Sequence, residues 1–240
     1  MNNWKWETFF EALPIVLKGL GITVGLTFAC FAFALIFGFV WVILRSVPSK
    51  YFTWIVTWIM EFIRSTPLLV QLFFIFYALP VLPVVGVTLE PFTCAVLGIG
   101  IHYSTYIGEI YRAGIESVDK GQWEASVALN FSTLDKWKKI ILPQAIPPTI
   151  PMLGNYFIIM FKEVPIASTI SVGGILYMAN SYGALNFAYL EPLTIVGIIF
   201  LTLSYPSSIL IKKLEVKMNT RFDKNALLKK ARKKNLKVSI

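Results

Sequence analysis

The chain has 240 residues, of which 56% are hydrophobic and only 15% are charged, and its mean hydropathy is +0.68. Soluble domains carry roughly 25% charged residues, and a chain of this size cannot enclose so much apolar surface in water. The composition therefore excludes a disordered chain, a coiled coil and almost any soluble enzyme. It predicts an all-α membrane protein with several spans.

Five apolar stretches along the chain are each long enough to cross a bilayer, which requires about 20 helical residues. Residues 1–16 precede them, and the alternation of aromatic and charged side chains there predicts a short helix at the membrane interface. Residues 17–211 are expected to form one transmembrane domain, in which loop 117–143 separates spans three and four. The predicted spans run approximately over Leu17–Leu44, Phe52–Leu79, Phe92–Ala113, Ile150–Ala179 and Pro192–Ile211.

Small and soft residues inside the spans are interpreted as packing positions. Gly21 and Gly25 are four residues apart, which is the spacing of small residues at close helix–helix contacts. Cys30 and Cys94 lie in apolar runs and are expected to be small buried hydrophobes rather than a disulfide or a metal site. His102 is the single histidine, and we expect it to be buried and hydrogen-bonded.

Lysine and arginine residues are distributed unevenly among the loops. They occur in the turn after span one, in the stretch after span three and in the tail, whereas residues 80–91 and 178–191 contain none. Because cytoplasmic loops are enriched in these residues, the pattern predicts that the N-terminus is outside and the C-terminus inside. Residues 212–240 contain eleven basic and two acidic residues, a net charge of +9. Such a tail after an apolar span is typical of a cytoplasmic segment beside anionic lipid, rather than of nucleic-acid binding.

Loop 117–143 is too polar to cross a membrane and too patterned to be a flexible linker. The segment Gln122–Leu129 suits a short helix, and Asn130 can adopt the left-handed conformation that ends it. Ser132–Asp135 resembles a capping box that opens a second helix, which Pro143 is expected to end. The two amphipathic helices then either dock a cytoplasmic protein or lie on the membrane surface without a partner.

Four charged residues lie within the predicted spans two and four: Glu61, Arg64, Lys162 and Glu163. An isolated charge at the membrane centre costs about 2.5–3.5 kcal/mol, so these residues must pair, face a polar cavity or bind a ligand. Two interpretations stay open. The residues form a structural ion-pair network between the two spans, or Arg64 holds the carboxylate of a zwitterion while Glu61 or Glu163 holds its ammonium group.

Prolines interrupt the same two spans near these charges. Thr66 and Pro67 are expected to break span two, and Pro165 is expected to break span four. Such breaks free backbone carbonyls, which transporter binding sites use. The candidate substrate pathway therefore consists of Glu61, Arg64, Thr66, Pro67, Gln71, Lys162 and Glu163.

The polar loop contains a motif with a specific resemblance. Glu124-Ala125-Ser126 is followed by Ile140 and Pro143 at 16 and 19 residues beyond Glu124. This spacing resembles the EAA loop of the membrane subunits of ATP-binding-cassette (ABC) importers. The family usually has glycine at the position of Asn130, and glycine would serve the same left-handed turn.

Further strings are similar to the branch of that family that imports polar amino acids. They are residues 61–73, 109–115, 120–125 and 142–145. The family usually has glycine at position 65, where this chain has Ser65. The resemblance covers roughly residues 15–220, so the end of the basic tail lies outside it.

The resemblance implies the permease subunit of an ATP-driven importer for polar amino acids or similar small zwitterions, of the histidine, glutamine, arginine or ectoine type, in a bacterial plasma membrane. It implies two cytoplasmic ATPase subunits, a second copy or homologous permease, an extracellular substrate-binding protein and contact with membrane lipid, but no nucleic acid. The loop would then form a coupling helix that docks on the ATPase. The coupling residues it implies are Gln122, Trp123, Glu124, Ala125, Ser126, Leu129, Asn130 and Pro143.

The chain lacks the Gly-x-x-x-x-Gly-Lys-Ser/Thr string that cradles a nucleotide, so ATP and Mg²⁺ would be used by the partner ATPase. We expect no catalytic residue, bound cofactor or metal in this chain. The alternatives are an intramembrane enzyme and a secondary transporter or channel that is not coupled to ATP. Neither alternative explains the motif-rich loop, and the nucleophile and metal motifs of an enzyme are absent from the sequence.

Overall fold

The structure, a computed structural model, describes residues 4–83 and 86–236, with side chains described as far as Met218. Over these residues the chain is helical and contains no strand. The α-helices are α1 Trp6–Lys18, α2 Leu20–Arg45, α3 Lys50–Ser65, α4 Leu68–Phe73, α5 Pro91–Glu116, α6 Lys120–Ala128, α7 Thr133–Asp135, α8 Leu142–Glu163, α9 Ile175–Asn186 and α10 Leu190–Leu236. A π-helical turn Phe74–Ala78 and a 3₁₀ turn Leu79–Val81 follow α4. A π-helical segment Lys136–Ile141 joins α7 to α8, and a 3₁₀ turn Val164–Ile170 follows α8.

The first two helices meet at Gly19 and are nearly continuous from Trp6 to Arg45. A Cβ atom at Gly19 would lie 2.5 Å from the carbonyl carbon of Gly174, so only glycine permits this contact. The apolar face of α1 packs against α9 and α10. Ala12 and Val16 of α1 are buried in this contact, and the position of residues 1–16 at the membrane interface stays a prediction.

The most extensive packing is between α2 and α5. Gly38 on α2 faces Gly108 on α5, and a Cβ atom at Gly38 would lie 2.6 Å from the Cγ2 atom of Ile107. At Gly21 and Gly25, in contrast, an added Cβ atom would meet nothing within 4 Å. The close contact predicted at those two positions is not made within this chain, since other glycines form the α2–α5 interface.

Span two is broken where the sequence predicts. Thr66 has an extended backbone, and the helices on either side of Pro67 are bent by 100°. Proline lacks the N–H that would continue the helix, and it disfavours a helical conformation in the residue before it. The predicted span Phe52–Leu79 is therefore a broken pair of helices and not one straight rod.

The prediction that Pro143 ends the second loop helix is wrong. The chain passes without interruption from α7 through the π-helical segment into α8, and Pro143 lies in the first turn of α8. The hydrogen-bond pattern changes from π-helical to α-helical directly before Pro143, so the proline lies where the regular i→i−4 pattern is already interrupted. Near Pro165 the α-helix α8 changes into the 3₁₀ turn Val164–Ile170, and the 45° bend lies further along, between Ile170 and Ile175.

Two helical stretches, Trp6–Arg45 and Leu190–Met218, are long and apolar enough to cross a membrane. The number rises to as many as four if each of the two bent helix pairs is counted as one span. The helix α5, which corresponds to the predicted span Phe92–Ala113, is the central helix and has many fully buried residues. The protein is thus an all-helical membrane protein, and the number of five spans stays a prediction.

Two contacts define the direction of α10 relative to α8. The rings of Phe161 and Phe200 are 4.9 Å apart, and Gly154 faces the side chain of Ile211. The two helices are therefore antiparallel, and the basic tail leaves the helical bundle at the same end as loop 117–143. At the opposite end, the backbone N–H of Lys5 donates a hydrogen bond to the buried carboxylate of Glu191 at 2.8 Å.

Candidate functional site

The break in span two is organised by the side chain of Gln71. Its amide nitrogen donates to the backbone oxygens of Ile63 at 2.7 Å and Thr66 at 3.2 Å, and to the Thr66 hydroxyl at 2.6 Å. The Ile63 carbonyl is the one that Pro67, which has no N–H, leaves without its regular helical partner. The Gln71 carbonyl oxygen lies 3.3 Å from Nδ1 of His102, which confirms that this histidine is buried and hydrogen-bonded. The glutamine thus joins the broken span to α5.

Arg64 lies directly before this break, and its guanidinium group has two kinds of neighbour. Arg64 Nη2 donates to Oε1 of Glu61 at 2.6 Å, as the spacing of three residues predicts. The guanidinium carbon lies 5.9 Å from the centre of the Tyr106 ring, in the range of a cation–π contact. The Arg64 side chain is 17% exposed, whereas that of Glu61 is 59% exposed. Glu61 is therefore not enclosed by this chain.

Glu163 lies at the end of α8, directly before the 3₁₀ turn Val164–Ile170. The hydroxyl of Tyr103 donates to Glu163 Oε2 at 2.6 Å. Tyr156 contacts both Tyr103 and Tyr106, with ring centres 6.2 and 5.6 Å away. The three tyrosines therefore link Glu163 to Arg64. The Glu163 carboxylate and the Arg64 guanidinium group both contact this aromatic cluster.

Sequence analysis assigned no role to these tyrosines and did not consider Tyr156 at all. A signal was present, because Tyr103 and Tyr106 are three residues apart on one helical face and Tyr156 is seven residues before Glu163. The structure brings Glu61, Arg64, Thr66, Pro67 and Gln71 together at the first break. Lys162 is exposed and makes no ion pair with any described residue, so it stands apart from this cluster.

A second charged cluster surrounds Glu109 on α5. Its carboxylate accepts hydrogen bonds from Arg45 on α2 and from Nε of Arg112 at 2.7 Å. Arg64 Nη1 lies 3.8 Å from Glu109 Oε1. This network joins α2, α3 and α5. Of the two interpretations left open for the charges of spans two and four, the pair within span two is present, and the described residues show no ion pair between the two spans. Glu109 lies in residues 109–115, one of the segments that resemble the family, but it was not among the predicted site residues.

The loop helices form as predicted at the other end of α5. Asp119 accepts a hydrogen bond from the N–H of Gly121 at 2.8 Å and caps α6, and Asn130 has a left-handed backbone with φ of 55°. The Ser132 hydroxyl accepts from the N–H of Asp135 at 3.1 Å. The Lys139 ammonium group, and then the Ser132 hydroxyl, hold the pKa of Asp135 below its usual range.

The structure divides the predicted coupling residues into two groups. Trp123 packs edge-to-face on Trp137 at 5.4 Å, Ser126 is fully buried, and the side chain of Gln122 accepts from Gln144 at 3.3 Å. These three side chains hold α6 against the start of α8 and have a structural role. The outward-facing residues of the predicted set are Glu124, Ala125, Leu129, Asn130 and Pro143.

Exposed apolar side chains extend this outward face. Leu129 is 70% exposed, and Val127 and Leu134 are similarly uncovered. We define the coupling surface as the outward faces of Glu124, Ala125, Val127, Leu129 and Leu134. Val127 and Leu134 were not among the predicted coupling residues. Apolar side chains that project from a polar loop indicate a protein contact.

Among the described residues, no group of three or more His, Cys, Asp or Glu side chains is arranged to hold a metal ion. Cys30 and Cys94 are buried and not bonded to each other, as predicted. Apolar helices broken around a polar cluster, together with exposed apolar side chains on the loop at one end, are typical of a membrane-embedded transport subunit. The family described as binding-protein-dependent transport system inner membrane component matches residues 21–220, and the chain belongs to that family.

Relatives agree with this assignment and confirm the resemblance to amino-acid ABC permeases. The chain is 40% identical to a probable amino-acid ABC transporter permease protein, y4tG, of Sinorhizobium fredii, over 92% of this chain and 97% of that one. It is 34% identical to the arginine transport system permease protein ArtQ of Bacillus subtilis, over 91% and 99%. A crystal structure of an amino acid ABC transporter with histidines superposes with a TM-score of 0.81 at 31% identity, over 90% and 100%.

Proposed function

We propose that the chain moves polar amino acids or similar small zwitterions across the plasma membrane, driven by ATP hydrolysis in separate subunits. The observation that carries this proposal is the placement of Arg64 and Glu163 on one tyrosine cluster between two helix breaks. A zwitterion has one carboxylate and one ammonium group, and this cluster offers one partner for each. The relatives named above are amino-acid and arginine permeases.

In the proposed site, Arg64 binds the substrate carboxylate through its planar pair of N–H donors. Its Nε atom is buried and has no hydrogen-bond partner among the described residues, so a donor is available for a ligand oxygen. Glu163 binds the ammonium group, with Tyr103 holding the carboxylate in place. Glu61 is the second candidate for the ammonium group, because its side chain is exposed next to Arg64.

The coupling surface is proposed to dock on a cytoplasmic ATPase subunit. Leu129 and its exposed apolar neighbours supply the buried area, and Glu124 supplies a charge for specificity. Movement of the ATPase would reach the substrate cluster through α8, because Trp123 and Trp137 fix the loop to the beginning of that helix and Glu163 lies at its end. The assembly would contain two permease chains, two ATPase subunits and an external binding protein, with five spans in each permease chain.

ATP-driven uptake in proteoliposomes that contain the purified complex tests the proposal. Glu124→Lys reverses an exposed charge on the coupling surface and should abolish ATPase binding and uptake while the chain stays inserted and folded. Lys50→Glu is the matched control, because it reverses an exposed charge at the first residue of α3, outside the coupling surface. Uptake by Glu124→Lys at the wild-type rate, or uptake that continues without ATP, would contradict the proposal.

A further inference from the structure

The last helix continues far beyond the membrane span that it forms. Helix α10 has 47 residues, its apolar part ends near Ile211, and no glycine or proline follows Pro206 in the sequence. At 1.5 Å per residue, residues 212–236 prolong the helix by roughly 36 Å. Without a helix breaker, this extension has no sequence feature that would turn it back towards the membrane.

The positive charge of the tail is concentrated in its far part. Residues 212–223 contain four basic and two acidic residues, a net charge of +2. Residues 224–236, which we call the distal tail, contain six basic residues and no acidic one. Lys237, also counted in the tail by sequence analysis, lies outside the described residues. The family match ends at residue 220, so the distal tail is an addition to the part that this family shares.

A helix that continues out of the membrane along its own axis carries the distal charges beyond the reach of lipid headgroups. The cluster from Lys229 to Lys234 lies roughly 25–33 Å along the helix from Lys212, where the apolar span has ended. Electrostatic attraction to a charged membrane surface falls off within a Debye length, about 8–10 Å at physiological salt. A helix tilt of about 20–40° shortens the distance too little to change this result. The lipid contact that sequence analysis expected therefore applies only to the proximal residues.

The distal tail leaves the helical bundle at the same end as the coupling surface. Gly154 faces Ile211 in an antiparallel pair, so the chain towards Leu142, at the start of α8, and the chain towards Asp223, on α10, run to the same end of the bundle. The loop helix α6 is held against this start of α8 by Trp123. From Asp223 to Leu236 the helix extends about 20 Å further, and a compact domain docked there has a radius of roughly 20 Å.

We propose that the distal tail binds an acidic flank of the ATPase subunit that docks on the coupling surface, which rests on the function proposed above. The two surfaces act together: the coupling surface transmits movement, and the tail raises the association rate and strengthens binding through complementary charge. A second copy of the tail is not the occupant, because two segments of the same strong positive charge repel each other. The partner surface must be rich in Asp and Glu.

The test measures the dissociation constant between the detergent-purified chain and its purified Walker A-containing ATPase subunit, from 50 to 500 mM NaCl. The variant replaces Lys229, Lys230, Arg232, Lys233 and Lys234 with Gln. We expect its affinity at low salt to fall about tenfold, since each exposed charge pair contributes about 0.2–1 kcal/mol. The difference should vanish at high salt. The control Lys212→Gln with Lys213→Gln removes proximal charges and should leave the affinity unchanged.

Other results would overturn the proposal. Equal affinity and equal salt dependence of the distal variant and the wild type would exclude the ATPase as partner. A loss of uptake in that variant only in vesicles containing phosphatidylglycerol, with unchanged ATPase affinity in detergent, would assign the tail to lipid. A change in the mass of the isolated permease particle would assign it to a second copy. Glu124→Lys separates the two proposals: its loss of ATPase binding supports the coupling surface whatever the tail does.

Discussion

Tyr103 donates a hydrogen bond to Glu163 at 2.6 Å and thereby ties the centre of α5 to the end of α8. The contact lies at the point where α8 gives way to the 3₁₀ turn that contains Pro165. A helix end that has lost its regular hydrogen bonds is held by a side chain from the central helix. Movement of α8 would therefore change the position of the Glu163 carboxylate directly.

Removal of this hydroxyl should impair transport without unfolding the chain. Tyr103→Phe keeps the ring packing and removes a hydrogen bond to a charged group, worth about 1.5–3 kcal/mol. We expect the rate of ATP-driven substrate uptake to fall by at least tenfold. Tyr111→Phe is the matched control on the same helix, because the Tyr111 hydroxyl makes only a 3.4 Å contact with a backbone oxygen. Equal uptake by the two variants in proteoliposomes would contradict the role of Glu163.

Arg64 should be required for its shape and not only for its charge. Arg64→Lys keeps a positive charge but loses the two-point donor geometry, so it should fold and transport poorly. Glu61→Gln with Arg64→Leu removes both partners of the ion pair. Because Glu61 is largely exposed, loss of this pair should change the free energy of unfolding by no more than about 1 kcal/mol. Thermal unfolding and uptake should both be measured for each variant. Uptake by the double variant at the wild-type rate would exclude Arg64 as a substrate ligand.

The stability of the chain should fall when a methyl group is added at a glycine inside the α2–α5 interface, and should not change when it is added at a glycine of α2 outside that interface. Gly38→Ala places a Cβ atom 2.6 Å from Ile107 and should destabilise the chain by about 1–3 kcal/mol. Gly25→Ala, on the same helix, meets nothing within 4 Å and should leave the unfolding of the single chain unchanged. Denaturation in detergent measures both. Equal destabilisation by the two substitutions would show that the face around Gly25 is also packed.

The orientation can be tested with single cysteines and a membrane-impermeant thiol reagent. Cys30 and Cys94 are fully buried, and their replacement by Ala provides a background without thiols. Leu185→Cys, at an exposed position of α9 near the end that holds the N-terminus, should react from outside intact cells. Leu134→Cys, on the coupling surface, should react only after the membrane is opened. The opposite labelling pattern would reverse the predicted orientation.

Much of the fold could be predicted because membrane insertion constrains sequence locally. The apolar stretches, the break at Pro67 and the left-handed turn at Asn130 each depend on residues close together in the chain. Pro143 shows the limit of this reasoning. A proline stops a helix or begins one according to what precedes it, and the π-helical segment before Pro143 placed it in a first turn.

The candidate site was only partly predictable for a related reason. Glu61 and Arg64 are neighbours on one helix, so their pairing follows from spacing alone. Tyr103 and Glu163 are sixty residues apart, and their contact depends on how α5 packs on α8. Glu109 is the clearest example: its strongest partner outside its own helix is Arg45 on α2, and no local pattern indicates that contact.

The sequence by itself determined that this is a membrane permease of the amino-acid ABC type and where span two breaks, and it predicts which loop faces the ATPase. It did so because hydropathy, positive charge in loops and motif spacing are properties of the linear chain. Only the tertiary structure decided which polar side chains meet, which loop residues face outward and in which direction α10 runs relative to α8. Those relationships depend on the packing and relative direction of helices that are distant in sequence, which the apolar character of each helix does not specify.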